Sequence, residues 1–295
     1  MVSQSMLGVI GGSGLYDLPE IEGARDLDVM TPYGKPSDAI RAGRLGAMDI
    51  AFLSRHGRGH RLTPSELPYQ ANIYALKQVG VTHVLSISAV GSLKETLPPL
   101  SLVLPDQLID RTLARPRSFF GQGVVAHVGI AEPFCPHLRE RIAAVITNLG
   151  RNHQHGGTYV CIEGPQFSTK AESHLYRSWG CSIIGMTAMP EARLAREAEL
   201  CYATLALVTD YDVWHETESS VTVEMVMANL VANVEVGREV IRGVAAGGLP
   251  SSDCECGHAL RNAIVTDVAA VTTDARQRLG IIADRYLPPA GDRNP

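Results

Sequence analysis

No uninterrupted apolar stretch in these 295 residues reaches the roughly 18 that a membrane-spanning helix requires, so no such span is expected. A charged n-region is missing from the start of the chain, and Gly11, Gly12 and Gly14 interrupt its first apolar run, which argues against a secretory leader. A cytoplasmic location is the expectation. Basic excess is absent as well: 26 Lys and Arg face 31 Asp and Glu, for a net charge of −5. No global positive field therefore invites nucleic acid, and a small anion would need a local cluster of donors. Zinc-type cysteine spacing is also lacking. Of the six cysteines only Cys254 and Cys256 lie close in sequence, and C-x-C is not the usual ligand spacing. His258 offers a third ligand but leaves the fourth missing. Reduced thiols without a metal are expected.

No Pro/Gly linker, internal repeat or low-complexity block divides the chain. One α/β domain is expected: a core over 1–246, a segment 247–287 packing on it, and a frayed tail over 288–295. Strands are expected at Leu7–Ile10, Ile50–Ser54, Val84–Ala89, Leu102–Leu104, Thr158–Ile162, Ile183–Met186 and Tyr202–Thr209. Several are apolar on both faces, as in sheets covered by helices on both sides. Helices are expected at Gln70–Val79, Leu138–Leu149, Ala171–Trp179 and Glu191–Glu199. The clearest runs from Val223 to Val244, with an apolar stripe of Val223, Val226, Met227, Leu230, Val231 and Val234 behind Thr222 as N-cap. The stretch 111–125 reads as an exposed loop, and a last helical segment is expected near Ala259–Tyr286.

Chemistry concentrates at the ends of these strands. Gly11-Gly12-Ser13-Gly14 follows the first and suits a phosphate, because glycines let backbone N–H groups approach and Ser13 adds a hydroxyl. It is a poor dinucleotide fingerprint, since Asp17 falls where the third glycine would be. Arg55 and His56 follow the second, with a bidentate phosphate clamp expected of Arg55 and a donor of His56. A solvated basic turn is the alternative for that segment. Ser88 and Ala89 end the third, and Thr187 follows another. Four donors at four strand ends make an anion site credible, because α/β sheets place ligands there. Asp210 and Asp212 close the last strand. Carboxylates repel phosphate, so they belong on the other side of a bound substrate, with an Asp-rich turn as the alternative. Near a purine, a buried carboxyl with a raised pKa can accept from an amino group and pass a proton to N7.

Gly-Gly-Ser-Gly at 11–14, Arg-His-Gly-Arg at 55–58, Pro-Tyr-Gln-Ala-Asn at 68–72, Ala-Glu-Pro-Phe-Cys-Pro at 131–136, Ile-Glu-Gly-Pro-Gln-Phe-Ser at 162–168, Met-Thr at 186–187 and Thr-Asp-Tyr-Asp at 209–212 occur together. In this order they resemble the methylthioadenosine phosphorylases of the trimeric purine nucleoside phosphorylase superfamily. The resemblance implies a single α/β domain around a mixed, partly barrel-like sheet flanked by helices, assembled as a homotrimer. It implies phosphorolysis of methylthioadenosine to adenine and 5-methylthioribose 1-phosphate, with inorganic phosphate as co-substrate and no metal or organic cofactor. Phosphate contacts then fall on Ser13, Arg55, His56, Ser88, Ala89 and Thr187. Phe167 stacks on the base, the Met186 backbone meets the ribose, and Asp210 and Asp212 face the purine edge with catalysis assigned to them. His60, Val223, Val226 and Met227 form the 5' pocket, with His127 lent by a neighbouring protomer.

Ser168 and Asp210 favour adenine in this comparison. Relatives acting on 6-oxopurines carry Glu and Asn there, which match the N1–H and O6 of such bases. Val223 belongs to the same question at the 5' end, where an apolar wall suits a thioether. Gly185 departs from the Asn common in the family, and some relatives preferring methylthioinosine share it. A 6-oxopurine or methylthioinosine phosphorylase is therefore the nearest alternative, and a non-catalytic nucleotide sensor a distant third.

Overall fold

The computed structural model describes residues 5–12, 15, 18–215, 223–251 and 254–287, with the side chains at 223–227, 230 and 232 outside that description. At its centre is β5 (Val81–Ser92), a strand of Val, Ile, Leu and Ser buried on both faces along most of its length. On one side β5 pairs in parallel with β1 (Met6–Gly11), and β1 pairs in parallel with β4 (Met48–Ser54). Antiparallel β3 (Ile40–Leu45) and β2 (Glu22–Leu27) finish that arm. On the other side the sheet divides. β11 (Cys201–Asp210) runs parallel to β5 up to Gly91, where β10 (Ile183–Gly185) joins antiparallel. From β10 the sheet continues to β9 (Thr158–Ile162) and β7 (Gln107–Arg111), and from β11 to β6 (Leu102–Leu104) and β8 (His153–His155). The result is a mixed sheet of 11 strands that forks at β5 without closing. This is the expected α/β class, and the fork accounts for its partly barrel-like form.

Helices cover both faces. α1 (Tyr69–Gln78) and α4 (Ala188–Glu197) bury Ile73, Leu76, Ala192 and Leu194 with Tyr202 of β11. α2 (Pro136–Asn148) and α5 (Val223–Gly247) bury Leu138, Ile142, Val240 and Ile241 with Ala203, Leu205 and Leu207 of the same strand. Successive β11 residues thus serve opposite cores, which is why the strand carries no polar alternation. α3 (Lys170–Ser178) starts at a capping box in which Thr169 and Glu172 satisfy each other's backbone N–H groups.

Several expectations need correction. The stretch 111–125 is irregular but not simply exposed: Thr112, Arg115, Phe119 and Val124 are buried. No single helix spans 259–286. That segment holds one short helix, α6 (Thr273–Leu279), between 3-10 turns, and it sends Leu260, Leu279 and Ile282 into the α1/α4 core. Val231 leaves the α5 stripe and stands 70% exposed. Thr222 lies outside the described residues. β2, β3 and β7 escape sequence reading for a physical reason. β2 and β3 carry the charges of an outer arm, with Arg25, Asp26, Arg41 and Arg44 along them, and so show no apolar run. In β7 only Leu108 and Ile109 are apolar.

Candidate active site

Sheet register gathers the expected strand ends. Gly11 and Ser54 are register partners, so the glycine turn and Arg55 leave the sheet side by side, and the Arg55 backbone N–H donates to Gly11 O at 2.9 Å. Ser88 on β5 and Thr187 beyond β10 approach with hydroxyl oxygens 3.2 Å apart, both residues buried. Ala89 follows Ser88 on β5, and Asp210 pairs with Gly91. A Cβ on Gly91 would stand 2.9 Å from Asp210 Oδ1 and 3.0 Å from Ile184 Cγ2, so close approach of β5, β10 and the carboxylate depends on glycine here. Ser13 lies outside the described residues. Val223, Val226 and Met227 open α5, but their side chains lie outside the description too.

Arg55 is bound differently from the expected bidentate clamp. Its side chain is 3% exposed, and Nε and Nη2 donate to the two carboxylate oxygens of Glu191 at 3.0 and 3.2 Å. Nη2 also reaches Ser86 Oγ at 2.7 Å and Ile10 O at 3.4 Å, and Nη1 donates to Ile87 O at 2.9 Å. Of the five guanidinium hydrogens, a single Nη1–H is left for an anion. The fork is spent on the fold, and one guanidinium N–H remains outside these bonds. Glu191, missed in the sequence, is the hub: it also accepts from Ser86 Oγ and Tyr202 Oη at 2.8 Å each. Nothing local marks it, because it sits 136 residues from Arg55.

His56 contacts Leu62 O through Nδ1 at 2.8 Å and stacks on the exposed His60, ring centroids 4.2 Å apart. Burial, helped by the neighbouring Arg55 and His60, pushes its pKa down to about 4. Since Nδ1–H donates to the carbonyl, neutral His56 offers Nε2 as an acceptor. It becomes a donor to phosphate only by taking up a proton, or it accepts one from the acid form of phosphate.

At the end of β11, Asp210 accepts from Thr209 Oγ1 at 2.7 Å and from the Asp212 backbone N–H at 2.8 Å. Burial nevertheless raises its pKa above the usual carboxylate value. Burial, together with the adjacent Asp210 charge, also raises that of Asp212, whose Oδ2 is buried without a partner among the described residues. Asn229 and Asn233 of α5 donate to Thr209 O at 2.6 Å and Val208 O at 3.3 Å, which fixes the strand end that presents both acids.

A second residue missed in the sequence organises the third wall. Arg115, inside the supposed exposed loop, donates to Met186 O, Met189 O and Glu163 O at 2.6 Å each and to Tyr69 Oη at 2.9 Å. It ties the segment after β10 to the segment after β9. The latter carries Phe167, 41% exposed and free to meet a ring, and Ser168, whose hydroxyl is buried without a partner among the described residues. Gly185 has its own cause: a Cβ there would lie 2.0 Å from Tyr159 Oη. The Tyr159 ring occupies the space that a side chain at 185 would need.

His127 is exposed and lines a cavity of about 450 Å³ with Arg117, Arg193 and Arg196, apart from the strand ends just described. Within one chain it does not join them. Among the described residues one cluster has metal-ligating chemistry: Cys135, Cys201, Cys254 and Cys256, without His258. It sits at the opposite end of β11 from Asp210.

The sequence profile of the phosphorylase superfamily matches residues 6–246. The chain is 50% identical to an S-methyl-5'-thioadenosine phosphorylase of Koribacter versatilis over 96% of its own length and 97% of the relative's. It is similar to the crystal structure of a methylthioadenosine phosphorylase sourced from an antarctic soil metagenomic library, with a TM-score of 0.88, 49% identity, and 95% and 99% of the two chains covered. A methylthioadenosine phosphorylase of Schistosoma mansoni in complex with adenine superposes with a TM-score of 0.78 at 39% identity, over 82% of this chain and 91% of the other.

Proposed function

The chain belongs to the phosphorylase superfamily, within it to the S-methyl-5'-thioadenosine phosphorylases, and we propose that it cleaves S-methyl-5'-thioadenosine with inorganic phosphate. The observation that carries this reading is the gathering, where β5, β10 and β11 meet, of two hydroxyls (Ser88, Thr187) and a buried carboxyl whose pKa is raised (Asp210), with the Arg55 guanidinium bonded to β5 at Ile87 O. Phosphate on the donor side attacks C1' of the ribose. A C1'–O bond forms while the C1'–N9 bond breaks, and its electron pair passes to the purine. Protonated Asp210 gives N7 the proton that this charge demands, and adenine and 5-methylthioribose 1-phosphate leave. Positioning and fixed dipoles supply the rate, so the reaction needs no metal or organic cofactor.

Ser13 and Ala89 complete the phosphate side, and His56 takes part as the protonation-dependent member. Phe167 stacks on the base, the Met186 backbone holds the ribose, and His60, Val223, Val226 and Met227 enclose the methylthio group. Ser168 and Asp210 select adenine, and Asp212 supports Asp210. The protein works in the cytoplasm as a homotrimer in which His127 completes the neighbouring 5' pocket. Its surroundings support an interface: Val125 and Val265 stand 47% and 60% exposed beside it, joined by a backbone hydrogen bond of 3.0 Å.

Base selection is tested by the double substitution Asp210→Asn with Ser168→Glu. Each mismatched polar pair costs about 1–3 kcal/mol, so kcat/KM for inosine relative to methylthioadenosine should rise roughly 10-fold or more. Unchanged use of both substrates would remove these residues from the base site.

A further inference from the structure

Four of the six cysteines meet although the sequence scatters them. Cys135 is the N-cap of α2, Cys201 opens β11, and Cys254 and Cys256 belong to the 3-10 turn at Glu255–His258. Their sulfur atoms all lie within 4.8 Å of one another, with Cys201 and Cys254 at 3.4 Å. All are free thiols; three are buried and Cys254 is partly exposed. Zinc–thiolate bonds of about 2.3 Å produce a tetrahedron with sulfur–sulfur edges of about 3.8 Å, a spacing the cluster can meet with small side-chain adjustments. His258 is not part of it and instead contacts Arg261 Nη2 at 3.0 Å.

We propose that Cys135, Cys201, Cys254 and Cys256 form a tetrathiolate site for a soft divalent cation of the zinc class, which clamps the C-terminal segment to the start of β11 and to α2. One cation replaces four thiol protons, which leave to solvent, and the site then carries a net charge of −2. Two features offset that charge. Cys135 caps the N-terminus of α2, the positive end of the helix dipole, and the Arg196 charge acts on Cys256. Partly exposed Cys254 gives the entry path. Without a cation the same four thiols form a cluster of weak hydrogen-bond partners in the core that also holds Leu138 and Ala203. Cys201 and Asp210 stand at the two ends of β11, about 30 Å apart for an extended strand, so the site is structural and separate from the reaction.

The test uses the full chain, purified without a histidine tag in chelator-free buffer. Metal content should be about one zinc per chain, with four thiols protected from a disulfide reagent until a mercurial releases the metal. The chelator-stripped protein should take up Co²⁺ with an intense thiolate-to-cobalt absorption band. Cys254→Ser with Cys256→Ser should lose zinc and melt at least about 5 °C lower while still cleaving nucleoside. If that variant does not fold, the cobalt spectrum of the unaltered chain decides. Six reactive thiols with no zinc and no cobalt band would overturn the proposal. So would a mass lower by four hydrogens, which would show two disulfides instead. Neither readout depends on the enzymatic activity.

Discussion

Removing the Glu191 carboxylate should damage both the fold and the phosphate site, because one buried ion pair serves both. Glu191 is 1% exposed and takes hydrogen bonds from Arg55 Nε and Nη2, Ser86 Oγ and Tyr202 Oη. Glu191→Ala strands a buried guanidinium, for which the expected cost is about 3–5 kcal/mol. Arg55→Ala strands the carboxylate at a similar cost. The double variant leaves neither charge unpaired, so the two losses should fall short of additivity by about 2–3 kcal/mol in urea unfolding curves. The remaining Arg55 Nη1–H is the donor proposed for phosphate. A charge-assisted hydrogen bond of about 1.5–3 kcal/mol corresponds to roughly 10–100-fold in affinity, so Arg55→Ala should raise KM for phosphate by that factor. Additive losses within about 0.5 kcal/mol, together with an unchanged KM for phosphate, would rule out a shared role for this ion pair.

His56 should make the fold acid-sensitive. Its folded pKa near 4 lies below the usual 6.5, so as pH falls through 6.5 the unfolded chain gains a proton that the folded one refuses, and stability drops until about pH 4. The loss approaches about 3 kcal/mol, and urea unfolding of the protein against His56→Gln between pH 7.5 and 4.5 should show it shrinking in the variant; parallel curves would contradict the assignment. Gly185→Ala should cost roughly 1–3 kcal/mol, because its Cβ would meet Tyr159 Oη at 2.0 Å. Adding Tyr159→Phe should recover much of that in a thermal melt, and no recovery would place the clash elsewhere.

The inner strands and the helices were legible because burial on both faces leaves unbroken apolar runs, as in β5 and β11. Asp210 ends β11 and Thr187 follows β10 as the sequence suggests, whereas Ser88 lies inside β5, which continues to Ser92. What the sequence hides is pairing over distance. Arg55 reads as an open clamp until Glu191 appears across the sheet, and His56 reads as a donor until Leu62 O claims its Nδ1–H. Arg115 sits among Pro, Phe and Gly residues typical of a surface loop, and only the fold shows that three carbonyls converge on it. The cysteine cluster is the extreme case: its C-x-C half looked incomplete because the other half lies on α2 and β11.

The most direct test of the central claim is adenine release from methylthioadenosine with and without phosphate, run beside methylthioinosine, inosine and adenosine. Cleavage should require phosphate, form 5-methylthioribose 1-phosphate in equal amount, and be fastest with methylthioadenosine. Fastest cleavage of methylthioinosine would contradict the roles of Ser168 and Asp210, and adenine release independent of phosphate would contradict the role of the donor cluster at Arg55, Ser88 and Thr187.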